Sequence, residues 1–322
     1  MQLRKWQPWR GFAPGLLLVL TLLSGCATQT RALLQSPAAA SLPRRVELTA
    51  TPFFPQERYQ CGPAALAMSL NAAGISVTPD ALVSQVYVPQ REGSLQPEML
   101  AAARRHGAVS TTIPPRLESL LTELAAGNPV IVLQNLSLPL FPLWHYAVAI
   151  GYDLDRGDII LHSGTTSREV MPLSTFEHTW ARGNYWGEVA LQPGHLPATA
   201  DEPTATEALV AFEKINNPAL ARKAYAAALQ RWPHSLTLQM GYGNSAYAAG
   251  DRHAAVVAFK DASRDHPDSA AAFNNLAMVL AELGHIDEAR GAAKKAVALG
   301  GPLRETAQAT LRAIETKRQK VK

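Results

Sequence analysis

Cys61 and His145 are the two residues whose types and positions suit nucleophilic catalysis. Cys61 opens an alanine- and leucine-rich stretch that predicts a helix ending near Gly74. A cysteine at a helix start faces free backbone N–H groups and the positive end of the helix dipole, which favour the thiolate over the thiol. A thiolate nucleophile needs a general base on a rigid element, and His145 directly precedes an apolar strand predicted at residues 146–152. Together they indicate attack of a sulfur on a carbonyl carbon.

The other cysteine of the chain, Cys26, ends a segment with the features of a bacterial export signal. Three basic residues lie within the first ten positions, and residues 11–23 form an uncharged, leucine-rich run. This run is too short to span a bilayer as a helix, and with the small residues before Cys26 it predicts a cleaved secretory signal over residues 1–25. An ordinary cleaved signal, or a marginal membrane anchor, with an unmodified Cys26 is the simpler alternative.

The segment LSGC at residues 23–26 resembles the lipobox of bacterial lipoproteins. The resemblance implies that Cys26 becomes the first residue of the mature chain and carries a diacylglycerol on its sulfur and a further acyl chain, such as palmitate, on its N-terminus. Several acyl chains on one residue give firm membrane anchoring. Ala27 stands where an aspartate would retain the protein at the inner membrane. The implied location is therefore the cell envelope, at the outer membrane facing the periplasm.

Composition excludes several classes of protein. Two cysteines among 322 residues exclude a disulfide-built scaffold and a cysteine-rich zinc module. The nine histidines show no paired ligand spacing, so no metal or cofactor is expected. The formal net charge is +4, and removal of the three positive charges before Cys26 lowers it to +1. A nucleic-acid-binding surface is therefore not expected.

Composition and hydrophobic pattern divide the mature chain into four segments. They are a predicted lipidated tether at residues 26–45, a mixed domain at 46–193, a Pro/Ala/Thr linker at 194–203 and a helical domain at 204–322. In the mixed domain, helices starting at residues 61, 96 and 117 precede strands predicted at 130–134, 146–152, 159–161 and 186–191. Helices followed by strands predict an α+β domain with a largely antiparallel sheet.

The helical domain shows a period of 34 residues. Five columns keep this spacing: Pro233 and Pro267; Ala221, Ala255 and Ala289; Ala228, Ala262 and Ala296; Gly250 and Gly284; and Tyr225 and Phe259. The pattern resembles the tetratricopeptide repeat, in which small residues lie where helices cross and a proline ends the second helix of each pair. Asn216 replaces the expected turn glycine of the first repeat. The resemblance implies about two and a half repeats, a capping helix and a concave surface for a protein partner. A generic alanine-rich helical array, or one that only braces the mixed domain, is the alternative.

Three segments of the mixed domain carry a second resemblance. They are residues 55–66 (PQERYQCGPAAL), 127–133 (GNPVIVL) and 145–148 (HYAV). They are similar to the bacteriocin-processing cysteine peptidases, cysteine peptidase family 39, over about residues 50–165. The resemblance implies a papain-like fold in which Cys61 is the nucleophile, His145 the base, and Gln56 the side-chain donor to the oxyanion beside the Cys61 backbone N–H. Gln56 lies five residues before Cys61 where six is usual, so Gln60 stays open as the donor.

The residues at the expected third catalytic position differ from those of that family. An aspartate is expected at the end of the strand after the His145 strand, and this place holds His162 and Ser163. Either could accept the imidazole N–H, with His162 as the provisional choice, but neither carries a fixed negative charge. The nearby turn carboxylates Asp153, Asp155 and Asp158 are sufficiently explained by turn chemistry.

The sequence therefore predicts a lipid-anchored periplasmic cysteine peptidase that cleaves a peptide or protein substrate, with helical repeats for partner or substrate binding. Two alternatives remain: a catalytically weak or inactive papain-like module that binds peptides, and an amidase or acyltransferase that uses the same Cys/His pair. The sequence has no exporter segment or Walker-type loop, so cleavage after paired glycines is not carried over from the exporter-fused peptidases.

Overall fold

The computed structural model describes residues 28–56 and 60–321. A mixed domain with an antiparallel sheet precedes a purely helical domain, which confirms the predicted fold classes. The predicted signal peptide and Cys26 lie outside the described residues, as do residues 57–59 of the segment before Cys61. In the described ranges, no helix combines the length and hydropathy needed to cross a bilayer.

The mixed domain is built on a seven-stranded antiparallel sheet. Six strands are paired in the order β4-β9-β5-β6-β7-β8, and β1 also pairs with the far end of β6. The strands are β1 (Arg45–Glu47), β4 (Val109–Thr112), β5 (Val130–Asn135), β6 (Trp144–Asp153), β7 (Asp158–Ser163), β8 (Thr166–Pro172) and β9 (Gly187–Leu191). Two short strands, β2 (Tyr87–Val88) and β3 (Gly93–Ser94), form a separate hairpin.

Helices cover both faces of the sheet. They are α1 (Thr28–Leu34), α2 (Pro37–Ser41), α3 (Cys61–Ala72), α4 (Pro79–Val86), α5 (Gln96–Arg105), α6 (Leu117–Ala125) and α7 (Leu173–Ala181). One apolar core joins α3, α4 and α5 to Tyr146, Val148 and Ile150, and the other joins α6 and α7 to Ala147 and Ala149. Alternate side chains of β6 thus enter opposite cores, which explains why this strand is an unbroken apolar run rather than an alternating one.

The segment predicted as a tether is largely folded onto the mixed domain, so that prediction was wrong for the described part of residues 26–45. The Glu177 carboxylate of α7 accepts hydrogen bonds from the backbone N–H groups of Gln29 (2.9 Å) and Thr30 (2.7 Å) and from the Thr30 hydroxyl (2.6 Å). The side chain of Leu33 is buried in the core. The segment lacks a long apolar period because both helices are short, and tertiary contacts stabilise them.

The helical domain contains three helix pairs and a final helix. The pairs are α8 (Glu202–Glu213) with α9 (Pro218–Arg231), α10 (Leu236–Ala248) with α11 (Arg252–Asp265), and α12 (Ala270–Glu282) with α13 (Ile286–Leu299); α14 (Arg304–Val321) follows. The periodic alanines are buried where helices cross, and a Cβ on Gly241 would lie 2.3 Å from the Tyr225 ring. The first pair is complete although Asn216 replaces the turn glycine, so there are three pairs rather than two and a half.

The two domains share polar and apolar contacts. Val109 of β4 packs into the core formed by α8, α9 and α10, and the Asn216 side-chain amide donates to the Arg104 carbonyl at 3.0 Å. The predicted linker is held by the buried Glu123 carboxylate, which accepts from the Thr199 backbone N–H (2.8 Å) and hydroxyl (2.6 Å). These contacts attach the repeats directly to one edge of the sheet.

Candidate active site

Cys61 is the first residue of α3, and its position is fixed by close packing around the start of that helix. A Cβ on Gly62 would lie 2.2 Å from the Ser94 Oγ and 2.5 Å from the Ser94 Cβ, so only glycine lets the β2–β3 hairpin approach here. The Tyr146 hydroxyl donates to the Ser94 carbonyl at 3.2 Å and holds the hairpin against β6. The helix start, the hairpin and β6 therefore meet at Cys61.

Burial opposes the charged form of Cys61. It raises the pKa of the thiol above its ordinary value, although the nearby backbone N–H groups of Tyr146, Gly62 and Cys61 act to lower it. Removal from water disfavours the charged thiolate more than the helix start favours it. Burial therefore opposes the thiolate that the helix start is expected to favour.

His145, at the start of β6, lies beside Ser163 at the end of β7. The Nε2 atom of His145 is 3.1 Å from the Ser163 Oγ. Burial lowers the pKa of His145, and the negative charge of Glu169 on β8 opposes this decrease. Glu169 was not selected from the sequence, because its strand β8 was not among the predicted strands. Exposed and half-buried positions alternate along this strand, so it is not an apolar run.

The backbone of Tyr146 connects the site residues. Its N–H lies near Cys61 and acts to lower the pKa of that thiol, and its carbonyl accepts from the Gln56 side-chain amide at 3.1 Å. The Gln56 side-chain oxygen accepts from the Gly164 backbone N–H at 3.2 Å. These groups are free for such contacts because the β7 strand ends at Ser163, which leaves the β6 backbone unpaired at this point.

The Gln56 amide has two N–H groups, and the contact with Tyr146 uses one of them. This contact leaves the second N–H unused. Gln60 is the residue that precedes α3, and its side chain caps none of the free N–H groups of the helix. Of the two glutamines, Gln56 is the one whose side chain bonds to the His145 strand.

His162, the provisional third residue, is turned away from His145. Its Nε2 lies 3.1 Å from the Thr51 carbonyl, and its Nδ1 contacts the Ser167 carbonyl. His162 is buried and packs against the Phe53 ring. Because neighbouring residues of a strand point to opposite faces, His162 and Ser163 could not both reach His145, and the structure brings Ser163 to it.

A buried carboxyl group lies near the same core and is not predicted from the sequence. Glu188 of β9 is fully buried and accepts from the Ser110 hydroxyl at 2.7 Å. Burial raises its pKa to about 8, although the Ser110 bond and the Arg104 charge act in the opposite direction. Its charge also contributes to the raised pKa of Tyr146, after burial of the tyrosine itself. Its strand was predicted, but a single glutamate in an apolar strand does not reveal which way it faces.

A groove of about 720 Å³ lies in the helical domain, between the first helices of two neighbouring pairs. Its lining comes from α8 and the start of α10 and includes Glu207, Val210, Lys214 and Thr237. The groove therefore offers both charges and apolar surface to a partner. Within the described ranges, no three His, Cys, Asp or Glu side chains are grouped so that they could hold a metal ion.

Comparisons with known proteins agree with this division of the chain. Residues 48–186 match the Peptidase_C39 like family, and residues 207–251 and 243–303 match the tetratricopeptide repeat. The predicted resemblance to both families is thereby confirmed. No curated protein matches the chain.

Several solved structures are similar to parts of the chain. A protein described as a C39-like peptidase from Bacillus anthracis is 18% identical over 47% of this chain and 98% of its own, with a TM-score of 0.40. The type III secretion translocator chaperone SycD of Yersinia enterocolitica is 17% identical over 37% of this chain and 89% of its own, with a TM-score of 0.35. MamA is 19% identical over 37% of this chain and 78% of its own, with a TM-score of 0.30.

Proposed function

We propose that this chain, which joins a C39-like peptidase domain to tetratricopeptide repeats, is a cysteine peptidase of the cell envelope. One observation carries the proposal: Cys61 at a helix start lies beside Tyr146, the residue that directly follows His145, and Gln56 donates its side-chain amide to the Tyr146 carbonyl at 3.1 Å. Lipid attachment at Cys26 and a periplasmic location at the outer membrane are part of the same proposal. They rest on the sequence of residues 1–27.

The reaction begins from a neutral thiol and a neutral imidazole, because burial raises the pKa of Cys61 and lowers that of His145. The Cys61 sulfur attacks the substrate carbonyl carbon while His145 removes the thiol proton. Negative charge passes to the carbonyl oxygen, which receives hydrogen bonds from the second Gln56 N–H and the Cys61 backbone N–H. In this tautomer His145 Nε2–H donates to Ser163, so Nδ1 acts as the base.

The intermediate then collapses in two steps. Its C–N bond breaks as the His145 imidazolium returns the proton to the leaving amine, which leaves an acyl group on the Cys61 sulfur. His145 next takes a proton from water while the hydroxide oxygen bonds to the acyl carbon. The C–S bond then breaks as the His145 imidazolium returns that proton to the Cys61 sulfur, which releases a carboxylic acid and restores the thiol and the neutral imidazole. Ser163 keeps the ring oriented, but an uncharged partner stabilises the imidazolium less than a carboxylate does.

Two features of the site favour a second function, peptide binding without turnover. The residue that contacts His145 is a serine, and both pKa shifts disfavour the thiolate–imidazolium pair. Under this alternative the Cys61 cleft holds a peptide that the repeats also contact.

Peptidase activity can be tested with the full chain in detergent and a mixture of envelope peptides. New N-termini and an acyl adduct on Cys61 are measured by mass spectrometry. Wild type is expected to produce both, and Cys61→Ala and His145→Ala neither, while His253→Ala, which changes an exposed histidine of α11, keeps full activity. Equal products from wild type and Cys61→Ala would disprove the peptidase assignment, and peptide binding without products would support the second function.

For the repeats, we propose that the groove between α8 and α10 binds an extended peptide of a partner or substrate. Val210→Asp places a charge in the groove, and Val257→Asp places one on an exposed site of α11 outside its lining. Co-purification of a partner should be lost with the first variant alone. Equal partner recovery from both variants would instead assign the array a bracing role.

A further inference from the structure

The loop between β5 and β6 presents a concentrated apolar surface beside the candidate active site. Of the 13 exposed large hydrophobic side chains among the described residues, six lie between positions 136 and 144. They are Leu136, Leu138, Leu140, Phe141, Leu143 and Trp144, with Leu140 80% exposed and Phe141 72% exposed. The loop contains no charged residue, and His145 follows it directly. Exposed apolar patches of this kind mark surfaces that contact another phase or molecule.

The loop has a defined conformation. The Asn135 side-chain oxygen accepts from the backbone N–H groups of Ser137 (3.0 Å) and Leu143 (2.9 Å), which closes the base of the loop. At the tip, the Phe141 N–H donates to the Leu138 carbonyl at 3.0 Å. Two prolines, at 139 and 142, further restrict the backbone. The apolar side chains are therefore held exposed on an ordered hairpin.

Helix α7 links this loop to the start of the described chain. Glu177 of α7 binds the first turn of α1, and Arg182, five residues later, donates to the Asn135 (3.2 Å) and Ser137 (3.1 Å) carbonyls at the loop base. Five helical residues rise only about 7.5 Å. The beginning of α1 and the base of the loop thus lie on the same side of the mixed domain.

The proposed lipid site is very near α1. Cys26 is two residues before Thr28, the first residue of that helix, and two residues of chain reach at most about 7 Å. Because α1 is bonded to α7, a lipid on Cys26 would hold this side of the domain against the bilayer. The only uncharged, protruding apolar loop that the described residues place there is the one at 136–144.

We propose that residues 138–143 insert into the bilayer surface to which Cys26 is anchored, and this inference rests on the proposed lipid anchor. Leucine and phenylalanine side chains enter the acyl region, and Trp144 lies at the level of the headgroups, where amphipathic aromatic rings are favoured. The insertion places His145 and Cys61 close to the membrane surface. The substrates would then be peptide segments that are presented at that surface.

The experiment replaces Phe141 by the photoreactive residue p-benzoylphenylalanine in the full chain, expressed in a Gram-negative bacterium. The matched control carries the same residue in place of Val257, which is 60% exposed on the helical domain. After irradiation, phospholipid adducts on each position are quantified by mass spectrometry. We expect at least tenfold more phospholipid adduct at 141 than at 257, in both the wild-type and Cys61→Ala backgrounds.

Acylation of Cys26 is measured in the same samples. Acylated protein with equal adduct at both positions, or with adducts only to peptides at 141, overturns the insertion and leaves the anchor intact. Phospholipid adducts at 141 in protein without acyl chains retain the insertion and overturn the anchor. Absence of both the phospholipid adducts at 141 and the acyl chains on Cys26 disproves the insertion and the anchor. Peptidase activity is scored separately through Cys61→Ala.

Discussion

Ser163→Asp is the substitution that tests how the candidate site controls its nucleophile. Ser163 lies 3.1 Å from His145 Nε2 and is half-buried. An aspartate there would place a negative charge in direct contact with His145 Nε2 and would stabilise the imidazolium form of His145. The pKa of His145, which burial lowers, should rise, and the thiolate of Cys61 should gain a charged partner.

The magnitude follows from the distance. Two unit charges 3.1 Å apart attract by about 5 kcal/mol at an effective dielectric constant of 20. Desolvation of the new carboxylate opposes part of this attraction, and an opposite charge at such range usually shifts a pKa by about 1–3 units. A net shift of one to two units corresponds to about 1.4–2.7 kcal/mol. The population of the thiolate–imidazolium pair at pH 7 should then increase about 10- to 100-fold.

The assay is the rate of Cys61 alkylation by iodoacetamide between pH 6 and 10, followed on the peptide that contains Cys61. In the wild type, the rate should rise only above the ordinary thiol range, because burial raises the pKa of Cys61. Ser163→Asp should move the rise to lower pH and increase the rate at pH 7 by at least tenfold. Ser163→Asn is the control, because it has the same shape as aspartate without its charge.

Two results would refute the reasoning. Identical pH profiles for Ser163→Asp and Ser163→Asn would show that a charge at residue 163 does not act on the pair. Rapid alkylation of the wild type well below pH 8 would show that the helix start outweighs burial and that the thiolate is already formed. Circular dichroism and thermal unfolding of each variant confirm that the compared proteins are folded.

Three further predictions concern the oxyanion donor, the helix start and a buried acid. Gln56→Ala should lower kcat about 100- to 1,000-fold with little change in KM if its second N–H binds the oxyanion. Gly62→Ala should destabilise the fold by about 1–3 kcal/mol because its Cβ would overlap Ser94, whereas Gly291→Ala, with open space around it, should stabilise α13 by about 1 kcal/mol. The free energy of unfolding of the wild type should fall by several kcal/mol as pH rises from about 5 to 8. The reason is that Glu188 keeps its proton to about pH 8 in the folded protein but loses it near pH 4.5 in the unfolded chain. Glu188→Gln should remove this decrease.

Each of these has a measurement that can contradict it. Steady-state kinetics decide the Gln56 prediction, and a change confined to KM would assign it to substrate binding. Urea unfolding decides the two glycine variants, which should shift the midpoint in opposite directions; equal shifts would contradict the close packing at Ser94. For Glu188, unfolding at pH 5, 7 and 8.5 should give a steeper decline in wild type than in Glu188→Gln, and parallel curves would mean that the carboxyl group is ionised in the fold.

Local sequence patterns were sufficient for much of the fold. The helix from Cys61 and the strands around His145 and Glu188 were predictable because each is an apolar run bounded by turn residues. The helical domain was predictable because a period of 34 places small residues at every helix crossing. The helices at 28–34 and 173–181 were not predicted. The first helix is held to the second by Glu177, whose bonds to Gln29 and Thr30 span almost 150 residues of chain.

The candidate nucleophile, base and oxyanion donor could also be chosen from the sequence, since Cys61, His145 and Gln56 lie in short motifs. Tertiary structure decided the residue that contacts His145. His162 and Ser163 are adjacent, and only the pairing and end of β7 determine which side chain reaches the imidazole. It also showed that burial opposes ionisation of Cys61, because a sequence shows the helix start but not the depth of burial. Residue types and local periods can be read directly from the sequence. Strand ends, burial and the exposure of the 136–144 loop arise from contacts between distant segments.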